Sequence, residues 1–325
     1  MILVLGGAGY IGSHTVKRLK ALNEKVAVYD DLSQGHLQAV PDTELIVGDV
    51  NDTEKLEKVF REKKVDSVIH FAAFCYVGES VQHPAKYYHN NVVGMVSVLN
   101  AMQKAGVKRI IFSSSAATYG VPAKVPISED TLTAPINPYG RSKLMMEQMM
   151  GDYEHAYGIR YTALRYFNAA GSDAEGVLGE WHDPETHLIP LAIYAALGLR
   201  DRLTVFGDTF NTPDGSCIRD YIHVDDLADA HILALNRLRD GAESRTFNLG
   251  NGAGYSVKEV AETVRRVSGK EFKVEIGPKR AGDPPSLVAD PSLAQKELGW
   301  KQRHPTLDDI VTTAYRWLEK NPSGY

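Results

Sequence analysis

Short apolar runs alternate along the first half of the chain with stretches whose apolar positions recur every three to four residues. The runs are Ile2–Leu5, Val26–Tyr29, Leu45–Val47, Ser67–His70, Arg109–Ser113 and Tyr161–Arg165, rich in β-branched residues. The stretches between them, Gly12–Leu22, Asp52–Glu62 and Asn91–Ala105, carry helical periodicity. This alternation predicts an α/β fold, a doubly wound parallel sheet with helices on both faces. Beyond residue 170 the pattern changes. The turn-rich stretches GSDAEGVLGEWHDPETH, GDTFNTPDGS and GPKRAGDPPS interrupt shorter elements, and loops of that length in a compact protein are more often functional than idle. Residues 1–170 are expected to form the sheet domain and 171–325 mainly a smaller, interleaved C-terminal domain that binds substrate. Segments at about 217–255 return to the first domain, since RTFNLG at 245–250 reads as a strand able to rejoin the sheet. No internal repeat or low-complexity tract is visible.

Composition narrows the class. The chain has 325 residues, 43% hydrophobic and 24% charged, enough apolar material for a large core and too little charge for disorder. A net charge of -5 comes with no basic run of the kind a nucleic-acid footprint requires, so no nucleic acid is expected as partner. Two cysteines, Cys75 and Cys217, are too few for a disulfide framework and lack metal-ligand spacing. Met1–Leu5 follows no basic segment, and no later window is apolar for 18 residues, so the expectation is a cytoplasmic chain without a membrane span.

Directly after the first run come Gly6, Gly9 and Gly12, a G-x-x-G-x-x-G spacing between strand and helix. Glycines there permit a tight turn, close approach of a pyrophosphate to the backbone, and close packing of helix on strand. Asp30 ends the second strand, 18 residues after Gly12, where a carboxylate can accept from adenosine ribose hydroxyls and would repel a 2′-phosphate. The pattern predicts a Rossmann-type domain binding NAD in preference to NADP. Asp49, in VGDV after the third strand, is placed to meet the adenine amino group.

A second constellation carries reactivity. FSSSAATYG ends a strand with serines, and 24 residues after Ser115 comes Tyr139 in YGRSK, with Lys143 four residues on. Residues four apart share a helix face, so the Lys143 ammonium can lie beside the phenol. A phenol ionises near pH 10; that cation together with a positive nicotinamide ring is expected to favour phenolate, a usable base at neutral pH. Ser115 would hydrogen-bond the reacting oxygen.

The motifs GGAGYIGSHT, FSSSAATYG, NPYGRSK and RYFNAAG resemble those of the extended short-chain dehydrogenase/reductases, and GSCIRDYIHVDDLADAH and KRAGDPPSLVADPSLAQKELGW resemble that family's sugar-nucleotide epimerases. The likeness runs through essentially the whole chain. It implies a tightly held NAD, a UDP-sugar inverted at C4 through a transient 4-keto sugar, and a homodimer. Carried over residue by residue, it makes Ser115, Tyr139 and Lys143 catalytic. It adds Tyr10, Ile11, Asp31, Val50, Phe71, Ala72, Ala73, Asn90 and Phe167 to the NAD site. Asn168, Leu188, Arg219, Arg280 and Asp283 would hold the UDP-sugar, the guanidinium forks suiting a diphosphate.

Two positions depart from the commoner pattern. His187 stands in THLIP where many relatives have Asn, and is expected near the UDP-sugar with a titration near 6.5. Leu287 stands where hexose-restricted relatives often have Tyr, so the resemblance leaves room for an N-acetylhexosamine. A 4,6-dehydratase shares the Tyr-Lys pair, but the positions beside Ser115 that would carry its extra acid and base are Ala116 and Ala117. A silent NAD-binding module would be expected to lose Tyr139 or Lys143. No metal is expected: HVDDLADAH reads as a helix capped by Asp225, with an apolar face of Leu227, Ala230 and Leu233. His14 reads as structural, and His70 as a cap at the sheet edge.

Overall fold

The computed structural model describes residues 1–280 and 283–325. Its central sheet contains β1 (Ile2–Leu5), β2 (Val26–Asp30), β3 (Glu44–Val47), β4 (Ser67–His70), β5 (Arg109–Ser113), β6 (Arg160–Tyr166) and a seventh strand, Arg245–Leu249. The order across the sheet is Arg245–Leu249, β6, β5, β4, β1, β2, β3, and every neighbouring pair is parallel. After β3 the chain crosses back to start β4 on the other side of β1. The crevice beyond the carboxyl ends of β1 and β4 is therefore the switch point where doubly wound sheets bind ligands.

Alternating side chains divide the sheet into two buried faces. Val4, Val28, Ile69, Ile111 and Leu164 pack with helices Tyr10–Ala21 and Val224–Arg239. Leu3, Leu5, Ala27, Val68 and Phe112 pack with Thr53–Glu62, Gly94–Ala105 and Pro138–Tyr157. All four β1 side chains are fully buried, which is why that strand reads as an unbroken apolar run. Val224–Arg239 and Arg245–Leu249 pack in this layer. So do Ala294, Leu298 and Trp300, which lie beyond the expected 217–255 segment.

A smaller core, including Ile189, Ile193, Val260, Val264, Val311 and Trp317, joins helices Leu188–Ala196, Val257–Ser268 and Leu307–Lys320. Ser256 and Thr306 each start their helix with a reciprocal capping box, satisfying backbone N–H groups that would otherwise be orphaned. The predicted helix Asn91–Ala105 is α-helical from Gly94 and is preceded by a π-helical turn, Tyr88–Val93. That turn aims Asn91 at the sheet: its Oδ1 accepts from Phe74 N–H at 2.9 Å, and its Nδ2 donates to the Phe74 carbonyl at 3.1 Å. The loop after β4 is thereby fixed.

Candidate functional site

One cavity opens at the switch point. Gly6, Gly9, Asp30, Asp31, Val50 and Asn90 line it, with Phe71, Ala72 and Ala73 from the loop after β4. Gly6 has φ +73°, and a Cβ there would stand 2.5 Å from Ala72 N; one on Gly12 would stand 2.3 Å from the Gly6 carbonyl oxygen. Gly12 is demanded by the turn itself, and Gly6 by its left-handed backbone and the close approach of the loop after β4. Gly9 differs, because a Cβ on it would meet only the Gly6 oxygen, at 3.5 Å. It leaves backbone bare toward the cavity. The helix that starts at Tyr10 has no side-chain cap and no acidic residue in its first turn, so its end is open to an anion. The Asp30 carboxylate is buried and accepts from Ala8 N–H and Leu32 N–H, both at 2.9 Å, which leaves each oxygen a second lone pair. Burial raises its pKa, and those two backbone donors oppose the rise. The cradle fits a dinucleotide pyrophosphate and ribose.

Ser33 and Gln34 also line this cavity, and no motif marks them. Tyr10, Ile11, Gly12, Asp49 and Phe167 lie outside its lining. The Tyr10 hydroxyl instead donates to the Gly171 carbonyl at 2.6 Å. Asp49 Oδ1 is taken up by Asn51, accepting from its backbone N–H at 2.8 Å and its Nδ2 at 2.9 Å.

Ser115, Tyr139 and Lys143 meet beyond β5. Ser115 caps the short turn Ala116–Thr118, its Oγ accepting from Ala117 N–H at 3.1 Å. Asn137 caps the next helix, with Pro138 in its first turn, and this sets Tyr139 at the buried start and Lys143 one turn on. Lys143 Nζ donates to the Ser113 carbonyl at 2.8 Å and lies 6.0 Å from the Tyr139 ring centre. Burial brings its pKa down to about 8. Burial first, and then the neighbouring Tyr166 and Cys75, push the Tyr139 phenol well above 10, against the pull of its hydrogen bond with Ser115. The expected phenolate is thus not a property of the chain alone. Burial is the largest cause of that rise, and the Lys143 ammonium is tied to the Ser113 carbonyl, so a positive ring beside the phenol would act in the direction that favours phenolate.

Neighbouring histidines are fixed in distinct ways. His231 Nδ1 is 2.8 Å from the Leu227 carbonyl and Nε2 is 2.7 Å from Ser113 Oγ. The carbonyl can only accept, so the ring is protonated at Nδ1 and Ser113 donates to Nε2. Burial keeps His231 neutral down to about pH 4. His70 is no edge cap: β4 is a central strand, both ring nitrogens lack partners among the described residues, and burial lowers the pKa to about 3. The helix expected to be capped by Asp225 is capped by His223, whose Nδ1 accepts from Asp225 N–H at 3.1 Å. Asp225 lies one position inside the first turn and pairs with His14 Nδ1 at 2.8 Å.

A second cavity lies beyond β6, and Asn168, His187, Leu188, Arg219, Arg280 and Asp283 line it. Arg219 donates to the carbonyls of Ile218 at 2.8 Å and Pro284 at 2.9 Å and stands 3.6 Å from Asp283. The Arg280 guanidinium lies 3.9 Å above the Phe206 ring. Arg200 and Phe206 complete a cationic and aromatic wall that no local motif announces. Leu287 lies outside the lining and packs against the cluster of Ala116, Tyr119, Ile127, Phe167 and Ala289. His187 Nδ1 is 2.8 Å from Glu185 Oε1 and 3.0 Å from Glu180 Oε1. Burial alone would lower its pKa, but these carboxylates hold it well above 6.5, so His187 does not titrate where the free imidazole would.

A family model described as the NAD dependent epimerase/dehydratase family matches residues 2–250. The chain is 52% identical to a UDP-glucose 4-epimerase of Halalkalibacterium halodurans over 324 residues, which cover 100% of this chain and 97% of that protein. The crystal structure of a UDP-glucose 4-epimerase from Brucella ovis in complex with NAD superposes with a TM-score of 0.95 at 51% identity, covering 97% of each chain. That of a UDP-glucose 4-epimerase from Bifidobacterium longum in complex with NAD+ and UDP gives 0.95 at 40% identity, covering 100% of this chain and 99% of the other.

Proposed function

The chain belongs to the NAD-dependent epimerase/dehydratase family, and on that premise we propose that it interconverts UDP-galactose and UDP-glucose through a transient 4-keto sugar. One observation carries the reading. The Ser115, Tyr139 and Lys143 group follows β5, the strand between β4, whose following segment lines the cradle for a dinucleotide, and β6, whose following segment lines the arginine-walled cavity. When bound, NAD supplies a reversible hydride acceptor and a positive ring.

The chain's own residues then divide the remaining work. Tyr139 exchanges a proton with the C4 oxygen, and Ser115 orients that oxygen by hydrogen bonding. Lys143 adds positive charge beside the phenol. Arg219 and Arg280 anchor the diphosphate with planar donor forks, and Phe206 offers a ring face at the same wall. An anchored nucleotide leaves the hexose free to turn about its link to the diphosphate, so the same proton donor serves either face of C4. Ala116 and Ala117 offer methyl groups where dehydration would need an acid and a base, which disfavours that alternative.

A homodimer and a cytoplasmic location accompany this reading. Val93 and Met145 expose apolar surface on packed neighbouring helices, a face suited to a second copy, and both cysteines are free thiols. Sedimentation velocity decides the dimer. The activity is tested by supplying UDP-galactose to the purified chain without added cofactor and following UDP-glucose by proton NMR. Conversion is expected, and Tyr139→Phe is expected to slow it by about 100-fold or more while NAD stays bound. Stoichiometric accumulation of free NADH, or no conversion with NAD added, overturns the assignment.

A further inference from the structure

The loop between Ala170 and Leu188 holds a motif that this chemistry leaves unused. GEWHDPETH places Glu180, His182, Glu185 and His187 at spacings of two, three and two. The fold folds these four back on one another, so that one ligating atom from each lies within 4.8 Å of all the others. His182 Nδ1 is 3.3 Å from Glu185 Oε2 and 3.6 Å from Glu180 Oε1, and His187 Nδ1 is 2.8 Å and 3.0 Å from the Oε1 atoms of Glu185 and Glu180.

Four ligands arranged tetrahedrally around Zn²⁺ at bond lengths of about 2.0–2.2 Å stand roughly 3.3–3.6 Å apart. The two His182 separations, 3.3 and 3.6 Å, match that spacing, while those of His187, 2.8 and 3.0 Å, are at hydrogen-bond length, so ligation asks that ring to draw back by a few tenths of an ångström; two imidazoles with two carboxylates form a donor set suited to zinc. Glu185 is also held by the backbone, its Oε1 accepting from the N–H groups of Thr186 and His187, both at 2.7 Å, whereas Glu180 has no such backbone donor among the described residues. His187 has a single Nδ1 proton between two carboxylate oxygens, and Glu180, with a side chain 5% exposed, meets only the two imidazoles among the described residues. With His187 protonated, one positive ring still faces two buried carboxylates, so the pair keeps negative charge that a divalent cation would neutralise.

We propose that Glu180, His182, Glu185 and His187 form a binding site for a divalent transition-metal ion of the zinc class, set in the wall of the arginine-lined cavity. Glu180 and His187 line that cavity, so an ion can enter from it. Coordination through Nδ1 fixes the other ring nitrogen of His187 as an N–H donor on a residue that faces substrate. It also staples a loop that contains no helix or strand between Gly171 and His187. This departs from the metal-free expectation drawn from the sequence, which weighed HVDDLADAH and passed over this loop.

The test uses full-length, NAD-loaded protein, stripped with EDTA and then dialysed against Zn²⁺ or Co²⁺. One ion per chain is expected by mass spectrometry, with the visible absorption of four-coordinate Co²⁺, undisplaced by excess Mg²⁺. Loss of a direct ligand should exceed the 10–100-fold known for outer-shell partners, so His182→Gln and Glu185→Gln are each expected to weaken binding by about 100-fold or more. His155→Gln, on the helix Pro138–Tyr157, should not change it. No Co²⁺ band, or equal binding by the His182→Gln protein, shows the cluster to be an ion-pair network only and overturns the proposal. Thermal melting in EDTA confirms that each variant is folded, and if Glu185→Gln is not, His182→Gln decides alone. Epimerase turnover measured in EDTA reads the proposed reaction separately, so either conclusion can fail without the other.

Discussion

Replacing Lys143 with Met separates what the buried ammonium costs from what it does. Its pKa falls from 10.5 in the unfolded chain to about 8 on folding, because burial strips the ammonium of water. At about 1.4 kcal/mol per pH unit, that difference is a penalty of about 3 kcal/mol on the charged form. A cation whose pKa is depressed destabilises the fold fully below the folded pKa, near 8 here, and the penalty fades as pH rises toward 10.5. Met is close in length and carries no charge. It also forfeits the hydrogen bond to the Ser113 carbonyl, and an acceptor so deprived costs about 1–3 kcal/mol. At neutral pH the cofactor-free Lys143→Met protein is therefore expected to be more stable than the parent by about 0–2 kcal/mol, though its turnover falls by about 100-fold or more. The sharper signature is the pH dependence. Between about pH 7 and pH 9.5 the parent should regain about 2 kcal/mol relative to the variant, as the ammonium deprotonates. Urea unfolding of both proteins at the two pH values reads it. A stability difference that does not change with pH would mean the Lys143 pKa is not depressed, and the desolvation argument fails.

Other substitutions probe the remaining parts. Asp30→Ser should raise the dissociation constant of NAD by about 10-fold or more and raise the NADP-to-NAD affinity ratio, because hydroxyl acceptance is weakened and a repelling charge removed; calorimetric titration of both dinucleotides checks it. Arg165→Met leaves Glu147 buried without its partner, which Arg165 Nη2 meets at 2.5 Å, and should cost about 3–5 kcal/mol; adding Glu147→Leu should restore most of that, as a double-mutant cycle by urea unfolding would show. Arg280→Met removes a charged fork from the cavity and should raise KM for UDP-galactose by about 10–100-fold while changing kcat less; equal loss in both would place Arg280 elsewhere than on the diphosphate. Leu287 packs against Phe167 and Ala116, next to Ser115, so Leu287→Tyr should lower turnover of UDP-N-acetylglucosamine relative to UDP-glucose by about 10-fold; an unchanged ratio removes Leu287 as a specificity determinant.

Most of the sheet was legible in the sequence because its cause is local. Strands flanked by helices bury both faces, and β1 therefore appears as a continuous apolar run whose limits match the observed strand. The glycine spacing was legible for a similar reason: Gly6 and Gly12 answer contacts made within their own turn and with the adjoining strand end. Tyr139 and Lys143 needed only the helical repeat to share a face. What depended on distant parts of the chain was not legible. Asp225 was the natural cap by residue preference, yet His14, more than 200 positions earlier, engages it and leaves the capping to His223. The rise in the Tyr139 pKa followed the same logic, since its largest cause is burial, which spacing along the chain does not reveal. Arg200, Phe206 and the Glu180–His187 cluster carry no mark in their neighbours, because only the folding of the loop beyond Ala170 decides which charges it encloses. Periodicity and steric demand act over a few residues and are written in order along the chain, whereas desolvation and Coulomb interaction act through space, so the ionisation and partners of buried groups belong to the tertiary structure.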